Sequence, residues 1–226
     1  MGETVSFPSN GGTANGYLAM PASGSGPGVL VIQEWWGLVP HICDIAERLA
    51  SSGFVALAPD LYHGEMATEP DGAGKLMMGL NVQEAAKDLS GAVDFLNEKS
   101  TGSGIGVIGF CMGGGLALVL ACQRPDAVKA VAPFYGVIPW SSARPDWSKL
   151  EGVLEGHYAE NDDFASPVVV RALEGELTDL GKRASFKVYP GTKHGFFNDT
   201  RSDQYDEAAA SSAWLKVIDL FRRELA

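Results

Sequence analysis

The stretch from Gly106 to Gly115, GVIGFCMGGG, constrains the fold most, because it joins a buried strand to a buried helix around a single cysteine. Residues 105–108 are short and mostly β-branched, as in a strand buried on both faces, and an apolar helix pattern follows the glycines. Side chains at Gly109 or Gly113 would collide across a sharp strand-to-helix turn, and glycine avoids that collision. The pattern therefore predicts a strand, a tight turn carrying Cys111, and a helix.

A turn of this kind is typical of a nucleophile elbow, with cysteine at the position where most α/β-hydrolases have serine. The elbow lifts the reactive side chain above the edge of the sheet. It also places the backbone N–H of Met112 at a helix N-terminus, where it can stabilise an oxyanion. The alternative interpretation is an unreactive cysteine buried on a tight turn, and five residues alone do not decide between the two.

Strands and helices alternate along the rest of the chain, which predicts a mostly parallel, doubly wound sheet. Two short strands joined by a turn at residues 10–12 predict an antiparallel hairpin at its start. The predicted strands are 5–8, 16–20, 28–33, 54–58, 105–108, 128–135, 152–158 and 184–189. The predicted helices are 40–52, 82–99, one directly after the elbow, 167–180 and 207–225, and a long loop is expected up to about residue 79.

Composition excludes several classes of protein. With 226 residues, 46% of them hydrophobic, and no recognisable linker, we expect one domain over residues 1–226. A net charge of −11 argues against nucleic acid or an anionic membrane as partner. No segment resembles a membrane span or a secretory leader, so we expect a cytoplasmic protein, a monomer or a weak homodimer.

A cysteine nucleophile needs a base and a residue that orients the base, and both should follow strands at the same sheet edge. His194 lies directly after the last predicted strand, and Asp162 lies directly after the strand before it. The other three histidines fall at a helix start, in a loop and inside a strand. Asp163 is the alternative candidate, but Asp162 is favoured because it lies nearer the end of the strand. The order Cys, Asp, His is the order found in hydrolases.

No cofactor is expected. Residues 104–109 formally match a dinucleotide-binding fingerprint, but that motif must follow a strand, whereas here it is the strand itself. No cluster of cysteine and histidine has the spacing of a zinc site. A thiol redox protein is a rival interpretation, but Cys122 lies about 16 Å along the helix from Cys111, too far to form a disulfide with it.

Several motifs together resemble the dienelactone hydrolase family over nearly the whole chain. They are Gln33-Glu34-Trp35-Trp36-Gly37, Ala58-Pro59-Asp60-Leu61-Tyr62, Gly109-Phe110-Cys111-Met112-Gly113-Gly114, Asn161-Asp162-Asp163-Phe164 and Lys193-His194-Gly195-Phe196. The resemblance implies an α/β-hydrolase fold with Cys111 as nucleophile, His194 as base and Asp162 as the orienting acid. It also implies that Glu34 contacts the nucleophile in the resting enzyme and that the N–H groups of Trp35 and Met112 form the oxyanion hole.

Glu34 has a physical rationale besides the resemblance, because a carboxylate near the thiol can accept its proton and keep it unreactive until substrate binds. The alternative is that Glu34 only satisfies loop amides. If Cys111 is the nucleophile, we expect the protein to hydrolyse a lactone or small ester through a thioester acyl-enzyme. A general small-ester or thioester hydrolase, and a catalytically silent binding protein with this fold, are the alternatives.

The sequence departs from the family at the residues that bind the substrate. Members that cleave dienelactone are thought to hold its carboxylate with two arginines. Here residues 62–80 contain Lys75 but no arginine, and Asn198 stands after the catalytic motif, with Arg201 a little farther on. We expect Arg201 to contribute to substrate binding, together with aromatic residues that are candidates either for an apolar pocket or for the core. These are Trp35, Trp36, Tyr135, Trp140 and Phe196.

Overall fold

A computed structural model describes residues 2–9, 11–138 and 140–225, so Asn10, in the predicted hairpin turn, lies outside the described residues. Within those ranges, eight strands form one sheet: β1 (Glu3–Ser9), β2 (Gly12–Ala19), β3 (Pro27–Ile32), β4 (Val55–Pro59), β5 (Thr101–Phe110), β6 (Val128–Phe134), β7 (Val153–Asn161) and β8 (Ala184–Lys193). Six α-helices accompany them: α1 (Pro40–Ser51), α2 (Pro70–Gly79), α3 (Val82–Lys99), α4 (Met112–Gln123), α5 (Pro167–Asp179) and α6 (Glu207–Leu225).

The strand order is β1-β2-β4-β3-β5-β6-β7-β8, which confirms the predicted architecture. The hairpin β1-β2 is antiparallel, and β2 pairs antiparallel with β4. The strands from β4 to β8 in this order are mutually parallel. The direction of winding reverses between β3 and β5. Ligands of open α/β sheets bind in the crevice at such a reversal, outside the carboxyl ends of the strands.

Helix α2 corrects the prediction of a loop over this stretch. Its sequence, PDGAGKLMMG, holds three glycines, which lower helix propensity and hide the helix from a pattern search. Pro70 stands in its first turn, where a missing N–H costs nothing. Ala73, its one buried residue, packs with Trp36 and Ala67 in a small cluster separate from the main core.

Strand β8 is longer than predicted. It continues past Tyr189 to Lys193, and its pairing with β7 is irregular just before Asn161, which lies opposite Lys193. Because these two residues are partners across the ladder, the residues that follow them leave the sheet side by side. Those residues are Asp162 and His194.

No helix in the described part of the chain has both the length and the apolar character needed to cross a membrane.

Candidate active site

The turn between β5 and α4 holds Cys111 in a strained conformation, with a φ of 52°. The glycines that flank it are sterically required. A Cβ at Gly109 would lie 2.1 Å from the carbonyl oxygen of Gly113, and a Cβ at Gly113 would lie 2.4 Å from the carbonyl oxygens of Ile32 and Gln33. The turn also makes the N–H of the next residue the first of α4, which has no intrahelical partner.

Asp162 and His194 form a hydrogen-bonded pair. The distance between His194 Nδ1 and Asp162 Oδ2 is 2.8 Å. The other carboxylate oxygen of Asp162 accepts the backbone N–H groups of Phe164, at 2.8 Å, and Ala165, at 2.9 Å. Asp162 is buried and Asp163 is exposed, so the structure brings Asp162 to the imidazole, and its carboxylate is fixed from both sides.

The interactions of His194 favour its charged form. Burial by itself lowers the pKa of His194, but the hydrogen bonds and charges of Asp162 and Cys111 outweigh burial and raise this pKa to about 10. The pKa of Asp162 is lowered in turn, because the bonds from His194 and from the two backbone amides outweigh its burial. His194 and Asp162 therefore form a charge-assisted pair, and Cys111 lies in the wall of the same cavity as His194.

Glu34 follows β3 and is buried, but its hydrogen bonds differ from those implied by the family. The Tyr135 hydroxyl donates to Glu34 Oε1 at 3.2 Å, and the amide nitrogen Nδ2 of Asn198 donates to Oε2 at 2.9 Å. Among the hydrogen bonds of the described residues, Glu34 has none with Cys111. Both carboxylate oxygens are thus held by neighbouring side chains at the edge of the cavity rather than by loop amides.

A cavity of about 240 Å³ opens above Cys111 at the carboxyl ends of the strands. Its volume suits a small ligand of roughly eight non-hydrogen atoms, given about 30 Å³ for each water in the liquid. Apolar side chains form much of the wall. The lining residues are Glu34, Trp35, Trp36, Met77, Cys111, Phe164, His194, Gly195, Asn198, Arg201 and Gln204.

Two residues predicted to bind substrate do not line this cavity. Tyr135 and Phe196 are fully buried. The Tyr135 ring packs against the His194 ring at 5.0 Å and against the Phe196 ring at 5.5 Å, so both residues support the site from behind. Sequence patterns separate a core aromatic from a pocket aromatic poorly, since both are apolar. Lys75 is also outside the cavity, on the exposed side of α2.

Five lining residues are absent from the predicted site: Met77, Phe164, Gly195, Asn198 and Gln204. Met77 lies on α2, which the sequence did not reveal. Phe164 is part of the motif that contains Asp162, and its position two residues after that carboxylate is the signal that would have identified it. Gln204 lies ten residues after His194 with no motif around it, so nothing in the sequence pointed to it.

Arg201 and Trp36, both predicted to bind substrate, meet in the wall of the cavity. The guanidinium carbon of Arg201 lies 3.8 Å from the centre of the Trp36 ring, in a cation–π contact. Within residues 2–9, 11–138 and 140–225, Arg201 forms no ion pair with a carboxylate. Among the described residues, the stacked guanidinium is therefore a positive charge at the edge of the cavity with no carboxylate within ion-pair distance.

Metal chemistry has no candidate ligands here: over the same described ranges, no three histidine, cysteine or acidic side chains are grouped so that they could hold an ion.

An eight-stranded mixed sheet with an antiparallel hairpin at its start and a strained strand-to-helix turn after β5 places the chain in the α/β-hydrolase fold class. The profile of the dienelactone hydrolase family matches residues 14–225. The chain belongs to the dienelactone hydrolase family and is a hydrolase.

Similar proteins agree with this assignment. Protein usf of Aquifex pyrophilus is 38% identical over 233 residues, with the whole of both chains covered. A protein of Aquifex aeolicus named "putative carboxymethylenebutenolidase" is 36% identical over 233 residues, again with both chains fully covered. A solved structure from Klebsiella pneumoniae, titled "putative dienelactone hydrolase", superposes with a TM-score of 0.89 at 27% identity, covering 99% of this chain and 98% of the other.

Proposed function

We propose that the protein hydrolyses small carboxylic esters or lactones, with Cys111 as nucleophile, His194 as proton carrier and Asp162 as the residue that orients it. The observation that supports this most is the 2.8 Å bond between Asp162 and His194, beside a strained cysteine that faces the same cavity. A structural cysteine needs neither the strained turn nor the histidine–aspartate pair. Geometry of this kind is typical of nucleophilic acyl transfer.

In the first half of the reaction, His194 already holds the Cys111 proton as an imidazolium, in agreement with its raised pKa, and the thiolate sulfur attacks the ester carbonyl carbon. The carbonyl oxygen becomes an oxyanion that accepts the N–H groups of Met112 and Trp35, each worth on the order of 3 kcal/mol in the transition state. Asp162 stabilises the imidazolium, in agreement with the raised pKa of His194. When the tetrahedral intermediate collapses, the C–O bond breaks and His194 protonates the leaving oxygen.

In the second half, water attacks the thioester carbonyl and gives one proton to His194. The second tetrahedral intermediate collapses with cleavage of the C–S bond, which restores the Cys111 thiolate beside the imidazolium of His194. The products are a carboxylic acid and an alcohol, or one open-chain molecule when the substrate is a lactone. The relatives named carboxymethylenebutenolidase have a lactone-opening reaction in their name, which supports this substrate class.

Arg201 supports a narrower choice within that class. A guanidinium stacked on Trp36 and free of ion pairs in the described residues is suited to an anionic group at the far end of the substrate. We therefore propose that esters or lactones carrying a carboxylate are preferred over neutral ones of equal size. A single arginine replaces the pair that dienelactone-cleaving members of the family are thought to use.

The test compares two esters of equal chain length, p-nitrophenyl butyrate and mono-p-nitrophenyl succinate, which differ by a terminal carboxylate. Wild type should hydrolyse both, and Cys111→Ala should reduce kcat/KM at least about a thousandfold for both. Arg201→Met should lower kcat/KM about tenfold for the succinate ester alone, the equivalent of about 1.4 kcal/mol.

Each alternative has its own outcome in this assay. Equal loss with both esters in Arg201→Met would contradict the preference for an anionic substrate and leave a general small-ester hydrolase. Full activity of Cys111→Ala would contradict the mechanism. No turnover of either ester by wild type would favour the silent binding protein.

A further inference from the structure

Residues 195–206, named here the wall segment, follow strand β8 and form one side of the cavity. The segment folds through its own backbone turns. The N–H of Asn198 donates to the carbonyl of Gly195 at 2.9 Å, that of Arg201 to Asn198 at 3.0 Å, and that of Gln204 to Arg201 at 3.0 Å. Because these turns are linked in series, a contact that holds any one of them also sets the orientation of the cavity-lining side chains.

On its inner side, the wall segment is fixed by Asn198. This side chain is buried and donates to Glu34 at 2.9 Å, as described above. Its own oxygen accepts the backbone N–H of Thr200 at 3.1 Å and the Thr200 hydroxyl at 2.6 Å. Both the nitrogen and the oxygen of the Asn198 amide are thus hydrogen-bonded, which ties the segment to the end of β3.

On its outer side, the segment is tied to helix α1 by Asp199. Oδ2 of this carboxylate accepts a hydrogen bond from the Arg48 guanidinium. Oδ1 lies 3.2 Å from Nδ1 of His41, which is buried in the first turn of α1, a contact by distance without the geometry of a hydrogen bond. Asp199 therefore joins two residues of one helix to the segment that carries Arg201.

We propose that Asp199 is a positioning residue, whose contacts with Arg48 and His41 hold the wall segment on α1 and thereby place Arg201 over the Trp36 ring. The side chain of Arg201 has no ion pair of its own among the described residues, so the turn that carries it sets its position. The inference rests on the proposed function in one respect, the role of Arg201 in binding a carboxylate.

Arg48 offers a matched control, because it binds two carboxylates. One belongs to Asp199, and the other belongs to Asp44, one helical turn earlier in α1, which accepts from Arg48 Nε at 2.6 Å. Asp199→Asn and Asp44→Asn each remove one negative charge from the same guanidinium, at side chains that are 33% and 52% exposed. Only the first of them involves the wall segment.

The first measurement is hydrogen–deuterium exchange of a peptide spanning residues 195–206, which needs no catalysis. Asp199→Asn should raise the exchange rate of this peptide about tenfold, because local opening becomes easier, and Asp44→Asn should leave it within about twofold of wild type. Arg48→Met, which breaks the same tie from the helix, should act like Asp199→Asn. Equal exchange in the two aspartate variants would overturn the proposal.

The second measurement is the dissociation constant of succinate, followed by tryptophan fluorescence, together with KM for mono-p-nitrophenyl succinate. Asp199→Asn should raise both the dissociation constant of succinate and KM for mono-p-nitrophenyl succinate about tenfold, and leave KM for p-nitrophenyl butyrate unchanged. In a protein that already carries Arg201→Met, Asp199→Asn should raise neither constant further. A rise in exchange with unchanged succinate affinity would also overturn the proposal. If Arg201→Met itself leaves succinate binding unchanged, the proposed substrate preference fails, while the exchange result still decides whether Asp199 holds the segment.

Discussion

A histidine inside the sheet makes the stability of the fold sensitive to acid. His157 lies on β7 with only 1% of its surface exposed. Its ring packs on Phe134 at 4.6 Å between centroids, and its Nδ1 lies 3.0 Å from the Tyr189 hydroxyl. Burial, helped by the nearby charges of Lys216 and Lys187, lowers the pKa of His157 from 6.5 to about 3. The imidazole is therefore neutral in the native protein at any pH above that value.

The size of this acid sensitivity follows from the linkage between proton binding and folding. Between pH 6.5 and about 3, the unfolded chain binds a proton at this residue that the native chain does not bind, so native stability falls as the pH falls. Each pH unit in this window costs about 1.4 kcal/mol, which amounts to about 3 kcal/mol at pH 4.5 and about 5 kcal/mol over the whole window. His194 has the opposite sign: because its pKa is raised, its contribution is complete below pH 6.5 and is lost as the pH rises towards about 10.

The assay is urea unfolding of wild type and His157→Gln at pH 7 and pH 4.5. His157→Gln should lose stability at pH 7 through poorer packing, yet its further loss on acidification should be about 3 kcal/mol smaller than that of wild type. Other acid-sensitive groups, such as the buried His41, occur in both proteins and cancel in the difference. Tyr189→Phe is the control, because it removes the hydrogen bond but keeps the imidazole buried. Its loss of stability between pH 7 and pH 4.5 should therefore equal that of wild type. Equal losses in wild type and His157→Gln would refute the reasoning.

Three further predictions concern the site and the turn beneath it. His194→Ala should abolish hydrolysis of p-nitrophenyl butyrate with an unchanged near-UV circular dichroism spectrum; residual activity near wild type would exclude His194 as proton carrier. Glu34→Gln should shift the pH profile of kcat/KM while changing the free energy of unfolding by about 1 kcal/mol or less, and an unchanged profile would assign Glu34 a purely structural role. In urea unfolding, Gly113→Ala should destabilise the protein by about 1–3 kcal/mol, because the added Cβ meets rigid backbone. Gly175→Ala, whose Cβ would enter open space on α5, should stabilise the protein by about 1 kcal/mol. Equal effects of the two substitutions would contradict the steric account of the turn.

The sequence predicted those features that depend on local pattern. These features are the alternation of strands and helices, the antiparallel hairpin and the turn around Cys111. They depend on the periodicity of hydrophobic residues and on the small size of glycine, and both are visible in a single sequence. Asp162 and His194 were placed correctly at neighbouring strand ends because parallel strands end at one edge. Their direct contact depends on the pairing of the two residues before them, which only the structure shows.

The features that the sequence did not predict depend on contacts between distant segments. Helix α2 forms against propensity because Ala73 packs beneath Trp36. Tyr135 is aromatic like the pocket residues, yet its position behind His194 follows from the path of the chain after β6. The partners of Glu34 come from positions more than a hundred residues away, so no local spacing could have identified them.

The small apolar cluster beneath α2 bears on how the cavity admits its ligand. Ala73 is the only fully buried residue of this helix, although Leu76 and Met77 also pack on the main core, so a local opening of α2 would break few buried contacts and no strand pairing. Met77 would leave the cavity with it, and the Trp36 face opposite Arg201 would lose its cover. Such an opening would widen the entrance to the cavity without moving the strained turn at Cys111.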